Sequence, residues 1–300
     1  MKIIKKFIYS ILKRSSLFRN IIKPFINPTE SFVKKITFKG AFKVSNNDKK
    51  VYYLYNNKFY LETSIYWRGI DAFKWELATR KIWIQLSENS DNIFDIGANT
   101  GIYAILSKVY NEDAMVYAFE PQPNIFDVFQ KNINLNKYNI IAEKAALSNT
   151  IGDLPFYNYG SQTFSESNTT AGSLNKDWRS DRFDHQSIIV PVMKLKNYIE
   201  TNNISKIDLM KIDVETHEYQ VLDGMGKYLN QFRPIIILEV ISPDLGLEID
   251  SLFKNLDYIY LNITESGDIV NVKTLGGNTD YNHLLCPKEK IHIIESISIK

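Results

Sequence analysis

Short apolar segments alternate with helical stretches along the C-terminal part of this 300-residue chain. Runs such as 235–238 are apolar at successive positions, which is typical of strands buried on both faces. Alternation of this kind indicates parallel βαβ units, with helices on both sides of a sheet. The sequence therefore predicts an α/β fold with a seven-stranded, mostly parallel sheet, its strands at 92–96, 115–119, 139–142, 208–212, 235–240, 258–263 and 283–287.

The N-terminal part has a different pattern. Residues 1–26 are basic with apolar residues at helical spacing, and residues 34–64, including 59–61, alternate in the manner of strands. We expect a small helix and an antiparallel β meander over residues 1–72. The main domain should occupy residues 73–300 and begin with a helix at 73–86. A polar stretch at about 158–187 is too long for a simple connector and predicts a lid-like insertion.

Charge is distributed unevenly along the chain. Seven lysine and arginine residues precede the first acidic residue, Glu30, although the formal net charge is only +2. A basic amphipathic helix of this kind either packs on the domain or makes peripheral contact with a membrane surface, and both alternatives remain open for residues 1–26. Cys286 is the single cysteine. No intrachain disulfide can form, and we expect a cytoplasmic protein without a membrane span or secretory signal.

The first predicted strand of the sheet runs directly into a glycine-containing loop at 95–101, which precedes a predicted helix. Gly97 and Gly101 allow a tight turn and a close approach of a ligand to the backbone of Ala98 and Asn99. A dinucleotide-binding loop would need glycine at positions 99 and 102, where this chain has none. S-adenosylmethionine carries an amino group instead of a pyrophosphate, and Asp95 suits that group. The loop predicts an S-adenosylmethionine site.

Glu120 ends the second predicted strand, 19 residues after Gly101, and Pro121 follows it. Ligands of open α/β sheets bind across the carboxyl ends of the strands. A glutamate at such a position can accept hydrogen bonds from both hydroxyls of a ribose. We therefore expect Glu120 and Pro121 to complete the cofactor site.

Several motifs occur in the order found in a known family, at 94–101, 117–123, 132–136, 144–148, 207–215, 218–224 and 237–239. Over roughly residues 90–290 the chain resembles the FkbM-type methyltransferases. The resemblance implies a Rossmann-like class I methyltransferase fold, S-adenosylmethionine as the cofactor, adenine near Ala145 and Ala146, and a lid segment at 170–174. The family motif Asp-Val-Glu-Gly is altered here, because Thr216 stands in place of the glycine.

Candidate catalytic residues follow the fourth and fifth predicted strands. Asp213, Glu215 and His217 come just after 208–212, and Glu239 lies near the end of 235–240. Because parallel strands end at the same edge of a sheet, these side chains should converge on the cofactor. Methyl transfer to oxygen needs a proton acceptor, which a carboxylate or the histidine can provide. Alternatively, Asp213, Glu215 and Glu239 could hold Mg²⁺ and orient the acceptor.

The resemblance implies an O-methyltransferase that acts on a hydroxyl of a sugar, a glycan precursor or a similar small polar acceptor. Outside the N-terminus no basic stripe with interleaved aromatic residues occurs, so we expect no nucleic-acid partner. Two alternatives remain. One is a nicotinamide-dependent oxidoreductase on the same type of sheet, and the other is a catalytically inactive methyltransferase-like protein that binds membranes peripherally.

Overall fold

A computed structural model describes residues 2–72, 74, 76–159, 171–178, 185–277 and 280–297. Within these ranges the helices are α1 (Lys2–Arg14), α2 (Ser16–Ile22), α3 (Glu30–Lys35), α4 (Tyr60–Arg68), α5 (Leu77–Ser87), α6 (Ile102–Tyr110), α7 (Pro123–Asn136), α8 (Leu195–Thr201), α9 (Glu218–Met225), α10 (Lys227–Phe232), α11 (Pro243–Phe253) and α12 (Ile291–Glu295). The strands are β1 (Lys39–Ser45), β2 (Val51–Asn57), β3 (Asn92–Ile96), β4 (Met115–Phe119), β5 (Ile140–Glu143), β6 (Ala146–Leu147), β7 (Gly152–Tyr159), β8 (Gly172–Ser173), β9 (His185–Met193), β10 (Leu209–Ile212), β11 (Ile235–Glu239), β12 (Tyr258–Ile263), β13 (Ile269–Val272) and β14 (Asn282–Pro287).

An eight-stranded sheet forms the centre of the fold, with the strand order β13-β12-β14-β11-β10-β3-β4-β5. The strands β11, β10, β3, β4 and β5 pair in parallel. β14 runs antiparallel between β11 and β12. This order, with β14 inserted in the reverse direction, is that of the Rossmann-like class I methyltransferase fold. The predicted fold class is confirmed.

The sheet has one strand more than the seven predicted. β13 pairs antiparallel with β12 at the edge of the sheet, and its two central residues are exposed. An edge strand that is not covered on both faces lacks the apolar run that identifies a central strand. The other seven strands lie within one residue of their predicted bounds.

The N-terminal residues form helices and a hairpin, not a meander. β1 and β2 pair antiparallel, but the strand predicted at 59–61 is wrong, because the chain enters α4 there. Asn56 Oδ1 accepts a hydrogen bond from the Phe59 N–H at 2.8 Å, and the Thr63 N–H donates to the Phe59 carbonyl at 3.2 Å. Six of the nine residues of α4 are buried. This packing overrides the strand propensity of the aromatic residues.

The basic segment at the N-terminus is also divided. Ser15 separates α1 from α2 by capping α2, and a 3-10 turn, Lys23–Phe25, follows α2. The helix predicted at 73–86 begins at Leu77, and residues 73 and 75 lie outside the described residues. The N-terminal elements share one hydrophobic core with α5, α6 and one face of the sheet, formed by side chains that include Leu12, Val33, Ile82, Ile93 and Ala104. The division at residue 72 stays a prediction.

Two asparagines of α7 attach the hairpin to the main sheet. The side-chain oxygens of Asn132 and Asn136 accept hydrogen bonds from the N–H groups of Tyr55 and Tyr53, at 2.6 and 2.7 Å. They satisfy part of the open edge of β2 in place of a further strand. Asn132 Nδ2 also donates to the Thr100 carbonyl at 2.7 Å, so the hairpin is linked to the predicted cofactor loop.

A second, four-stranded sheet has the order β6-β9-β7-β8. Part of this sheet comes from the stretch that was predicted as a lid-like insertion, namely β8, the end of β7 and the start of β9. Residues 160–170 and 179–184 of that stretch lie outside the described residues. In the part of the chain that the structure covers, no helix has the length and hydrophobicity that crossing a bilayer would require.

Candidate cofactor and acceptor site

Two glycines with positive φ shape the loop after β3. Gly97 has φ +79°, and a Cβ at this position would lie 1.9 Å from the carbonyl oxygen of Asp213. At Gly101, with φ +84°, a Cβ would lie 2.0 Å from the ring of Phe129. Side chains larger than hydrogen would therefore push the loop away from β10 and α7. The glycines thus allow tight packing of the loop within the protein, and the predicted approach of a ligand to its backbone stays a prediction.

Asp95 lies beneath this loop. Its carboxylate accepts a hydrogen bond from the Ala104 N–H in the first turn of α6 at 3.0 Å, and the side chain is buried. Burial raises the pKa of Asp95 to about 6, although the Lys211 ammonium and the Ala104 N–H act in the opposite direction. Ala98 is buried too, and its N–H donates to the Phe119 carbonyl at 2.9 Å. The predicted contacts of Asp95 and Ala98 with the cofactor stay predictions.

Glu120 holds the same loop from the end of β4. Its Oε2 accepts a hydrogen bond from the Asn99 N–H at 3.0 Å, and its Oε1 accepts one from the Gln122 N–H at 2.7 Å. Burial raises the pKa of Glu120 to about 7, while the two N–H donors lower it. Glu120 and Pro121 both line the cavity beside the loop. Because each carboxylate oxygen has a second lone pair, Glu120 can still accept hydrogen bonds from a diol.

A cavity of about 620 Å³ opens at the carboxyl ends of β3, β4 and β10. One end of the cavity lies at the predicted S-adenosylmethionine site and is called here the cofactor end. It is formed by the loop, the end of β4 and the start of β6, with the lining residues Gly97, Asn99, Glu120, Pro121, Ala145, Ala146 and Leu147. The two alanines are small and apolar, which suits a flat adenine ring. The loop backbone, the carboxylate of Glu120 and this apolar wall together fit S-adenosylmethionine.

The second sheet and the residues that flank β8 cover one side of the cavity, through Phe156, Ala171, Gly172, Leu174 and Trp178. The last four belong to the predicted lid-like insertion. They place part of that insertion at the wall of the cavity. Closure of a lid over the acceptor stays a prediction.

Four more carboxyl groups, from Glu76, Asp213, Glu215 and Glu239, line the cavity. The Nζ of Lys211 lies 2.6 Å from Oδ2 of Asp213 at the end of β10. Glu239 ends β11, and burial raises its pKa to about 8, with the neighbouring Asp213 carboxylate adding to the shift. Glu76 accepts a hydrogen bond from the Tyr103 hydroxyl at 2.9 Å. The structure thus brings Asp213 and Glu239 to one wall of the cavity.

Sequence reasoning missed Glu76 and Lys211. Glu76 precedes α5 with φ +48°, whereas the predicted helix at 73–86 placed it inside a helix. Lys211 interrupts an otherwise apolar strand, and all four residues of that strand are buried. A buried lysine needs an anionic partner. This interruption is the signal that could have identified its pair with Asp213.

A family model described as the methyltransferase FkbM domain matches residues 95–260, more than half of the chain. The chain belongs to the FkbM methyltransferase family. The resemblance carried by the sequence motifs is confirmed. The glycine loop, Glu120 and the ends of β10 and β11 all lie within the matched region.

Curated relatives match this chain over part of their own length. The hexuronic acid methyltransferase AglP of Haloferax volcanii is 26% identical over 171 residues, which are 57% of this chain and 64% of that protein. The 31-O-demethyl-FK506 methyltransferase FkbM of Streptomyces tacrolimicus is 27% identical over 155 residues, 45% of this chain and 59% of that protein. The crystal structure of methyltransferase FkbM from Methylobacillus flagellatus KT has a TM-score of 0.42 and 13% identity, over 66% of this chain and 43% of its own.

The departure from the family motif at Thr216 falls on a strained turn. Glu215 and Thr216 have φ of +55° and +74°, a region that β-branched residues rarely adopt and glycine adopts freely. Asn175 Nδ2 donates to Thr216 Oγ1 at 2.8 Å, and Ser173 Oγ donates to the Glu215 carbonyl at 2.6 Å. The second sheet therefore holds this turn in place. Glu215 lines the cavity, and its predicted catalytic role stays a prediction.

His217 lines the cavity beside the cofactor end. Its Nε2 lies 2.9 Å from Oγ of Ser148. Burial lowers the pKa of His217 to about 4, so its imidazole is neutral at physiological pH and is a weak proton acceptor. Glu218, which starts α9, accepts a hydrogen bond from the Val214 N–H at 3.1 Å. Glu218 thereby supports the turn that precedes α9, as expected of an acidic residue at a helix N-terminus.

Proposed function

We propose that this protein transfers a methyl group from S-adenosylmethionine to a hydroxyl oxygen of an uncharged sugar or a similar small polar acceptor. The proposal rests mainly on the charge of the cavity. Among the described residues that line it, aspartate and glutamate are present and lysine and arginine are not. The five acidic residues, called here the acidic wall, are Glu76, Glu120, Asp213, Glu215 and Glu239. Lys211 lies behind this wall, against Asp213.

The cofactor end provides the contacts that S-adenosylmethionine needs. Asn99 and Gly97 would present their backbone to the amino acid part, Glu120 would accept hydrogen bonds from the ribose, and Ala145 and Ala146 would contact the adenine. When bound, the cofactor supplies a methyl group activated by a sulfonium. The acidic wall attracts this positive charge.

Glu239 is the proposed proton acceptor for the hydroxyl. A general base works best when its pKa lies near the working pH, and burial raises that of Glu239 to about 8. Asp213 is proposed to orient the acceptor. Its carboxylate is held by the Lys211 ammonium, so one oxygen is fixed while the residue still lines the cavity. Glu215 and His217 are the other proposed participants.

The acidic wall also favours an acceptor without a negative charge. Burial already disfavours negative charge here, since it raises the pKa of Glu120 to about 7 and that of Glu239 to about 8. A carboxylate or phosphate of the acceptor would add to this cost, whereas a neutral hydroxyl would not. The relative AglP is named for hexuronic acid, an anionic compound. For this chain we propose a neutral polyhydroxy acceptor, and no nucleic acid.

Mg²⁺ at Asp213, Glu215 and Glu239 is the alternative means of orienting a hydroxyl. Among the described residues, no group of three or more histidine, cysteine, aspartate or glutamate side chains is arranged to hold a metal ion. The Lys211 ammonium already places a positive charge on Asp213. We therefore propose that the lysine takes the position that a cation would have, and a chelator separates the two alternatives.

The test is transfer of labelled methyl groups from S-adenosylmethionine to a methyl hexoside and to the matched hexuronic acid, with and without EDTA. We expect methylation of the neutral sugar with at least about tenfold higher kcat/KM, unaffected by EDTA. Preference for the uronic acid would contradict the proposed acceptor charge. Activity that is lost in EDTA and restored by Mg²⁺ would establish the metal instead. Binding of NAD⁺ in place of S-adenosylmethionine would favour the oxidoreductase alternative.

A further inference from the structure

The outer face of α2 is apolar. Leu17, Ile21 and Phe25 follow one another at intervals of four residues, from α2 into the 3-10 turn, and are 72%, 57% and 86% exposed. Residues four apart lie on the same side of a helix. These three residues, called here the outer face, form one apolar strip directed at solvent.

The outer face is not needed to attach the helix to the fold. On the other side of α2, Phe18 and Ile22 pack against the hydrophobic core. Arg19 is buried there, donating to the Leu12 carbonyl at 2.8 Å and lying 3.9 Å from the centre of the Phe38 ring. A surface helix needs only one apolar side for packing. The second apolar side of α2 therefore calls for a separate explanation.

Cations precede this strip in the chain. Lys13 and Arg14 are exposed at the end of α1, and they belong to the seven lysine and arginine residues before the first acidic residue, Glu30, of which Arg19 is buried. Phe7 of α1 adds a further apolar side chain that is 66% exposed. Exposed apolar side chains among basic residues are the composition of helices that lie in the surface of anionic membranes.

We propose that the outer face of α2, with the cations of the N-terminal segment, docks the protein on an anionic lipid surface. The apolar side chains enter the boundary between headgroups and acyl chains, and the cations contact the headgroups. A second copy of this chain is a poorer occupant, because its own basic N-terminal segment would be brought against the first. This surface is separate from the cavity, so the proposal does not depend on the acceptor.

The experiment is co-sedimentation of the full chain with vesicles of phosphatidylcholine alone and of phosphatidylcholine with about 30 mol% phosphatidylserine. We expect binding to the anionic vesicles that weakens at about 0.5 M salt. The triple variant Leu17→Ser, Ile21→Ser, Phe25→Ser should bind the anionic vesicles with an affinity at least about tenfold lower than that of wild type. The double variant Lys13→Gln, Arg14→Gln should lose about fivefold per cation.

Matched controls remove exposed residues of the same kind elsewhere. The variant Ile151→Ser, Ile189→Ser, Leu247→Ser and the variant Lys254→Gln, Lys273→Gln should bind like wild type, since all five positions are exposed away from the N-terminal helices. Circular dichroism and thermal melting confirm that every variant is folded. Equal binding to both kinds of vesicle, no binding to either, or unchanged binding of the outer-face variant would overturn the proposal. A wild-type dimer that the outer-face variant converts to a monomer would assign the face to a second copy.

Discussion

The Nζ of Lys211 lies 2.6 Å from Oδ2 of Asp213, at the point where β10 meets the cavity. Burial alone would lower the pKa of Lys211, but the carboxylates of Asp213, Glu76 and Asp95 raise it above its ordinary value. The lysine is therefore charged at every physiological pH. The buried ammonium and the carboxylates around it therefore stabilise each other, and loss of one partner should destabilise this region of the fold.

Replacement of Lys211 by methionine should destabilise the fold. Removal of one partner from a buried ion pair leaves the other charge uncompensated, at a cost of about 3–5 kcal/mol in the free energy of unfolding. The matched control is Lys206→Met, which breaks the exposed pair of Lys206 with Asp91 and should cost less than about 1 kcal/mol. Urea denaturation measures both. Similar small losses in the two variants would show that the buried pair contributes no more than a surface pair.

Replacement of Glu239 by glutamine should remove the dependence of turnover on a base. In the wild type, the carboxylate is the active form, so kcat should rise with pH through a pKa of about 8. Glu239→Gln should lower kcat by about 10²–10⁴-fold and flatten this rise. The profile of kcat against pH is the measurement.

The control for this variant is Glu248→Gln, at an exposed position of α11, which should keep the wild-type profile. Glu215→Gln and His217→Ala test the two other proposed participants. If Glu239→Gln retains the rise near pH 8, Glu239 is not the proton acceptor.

Replacement of Glu120 by alanine should weaken binding of S-adenosylmethionine. The carboxylate is proposed to accept hydrogen bonds from the ribose, and loss of such charge-assisted bonds costs about 1.5–3 kcal/mol of binding free energy. Calorimetry measures the affinity, with Glu143→Ala at the end of the neighbouring strand β5 as the control. A folded Glu120→Ala variant with wild-type affinity would refute the ribose contact.

Replacement of Glu218 by glutamine should change how stability depends on pH. Burial raises the pKa of Glu218 from its ordinary 4.5 to about 8, although backbone N–H donors act against this. Between those two values the folded protein holds a proton that the unfolded chain has lost, so the free energy of unfolding falls as pH rises through this window. Glu218→Gln should flatten that fall, because the amide does not ionise. Denaturation curves from pH 5 to pH 8 that run parallel for the two proteins would contradict the assignment.

Local patterns in the sequence predicted the central sheet well, because buried parallel strands must be apolar along their whole length. The same rule explains the errors. β13 lies at an edge, where this requirement is relaxed, and α4 contains aromatic residues that favour strands when read locally. Only its burial against the hairpin and neighbouring helices makes that segment a helix.

The sequence by itself predicted which residues meet at the cofactor end of the cavity. Gly97, Gly101 and Glu120 are close in the chain, and their spacing after two adjacent strands predicts where they meet. Only the tertiary structure decided which further residues line the cavity beside Asp213. Glu76 is far from Asp213 in sequence, and the packing of α5 against α6 brings it to the same cavity. Contacts between distant segments depend on the whole fold, and no local pattern records them.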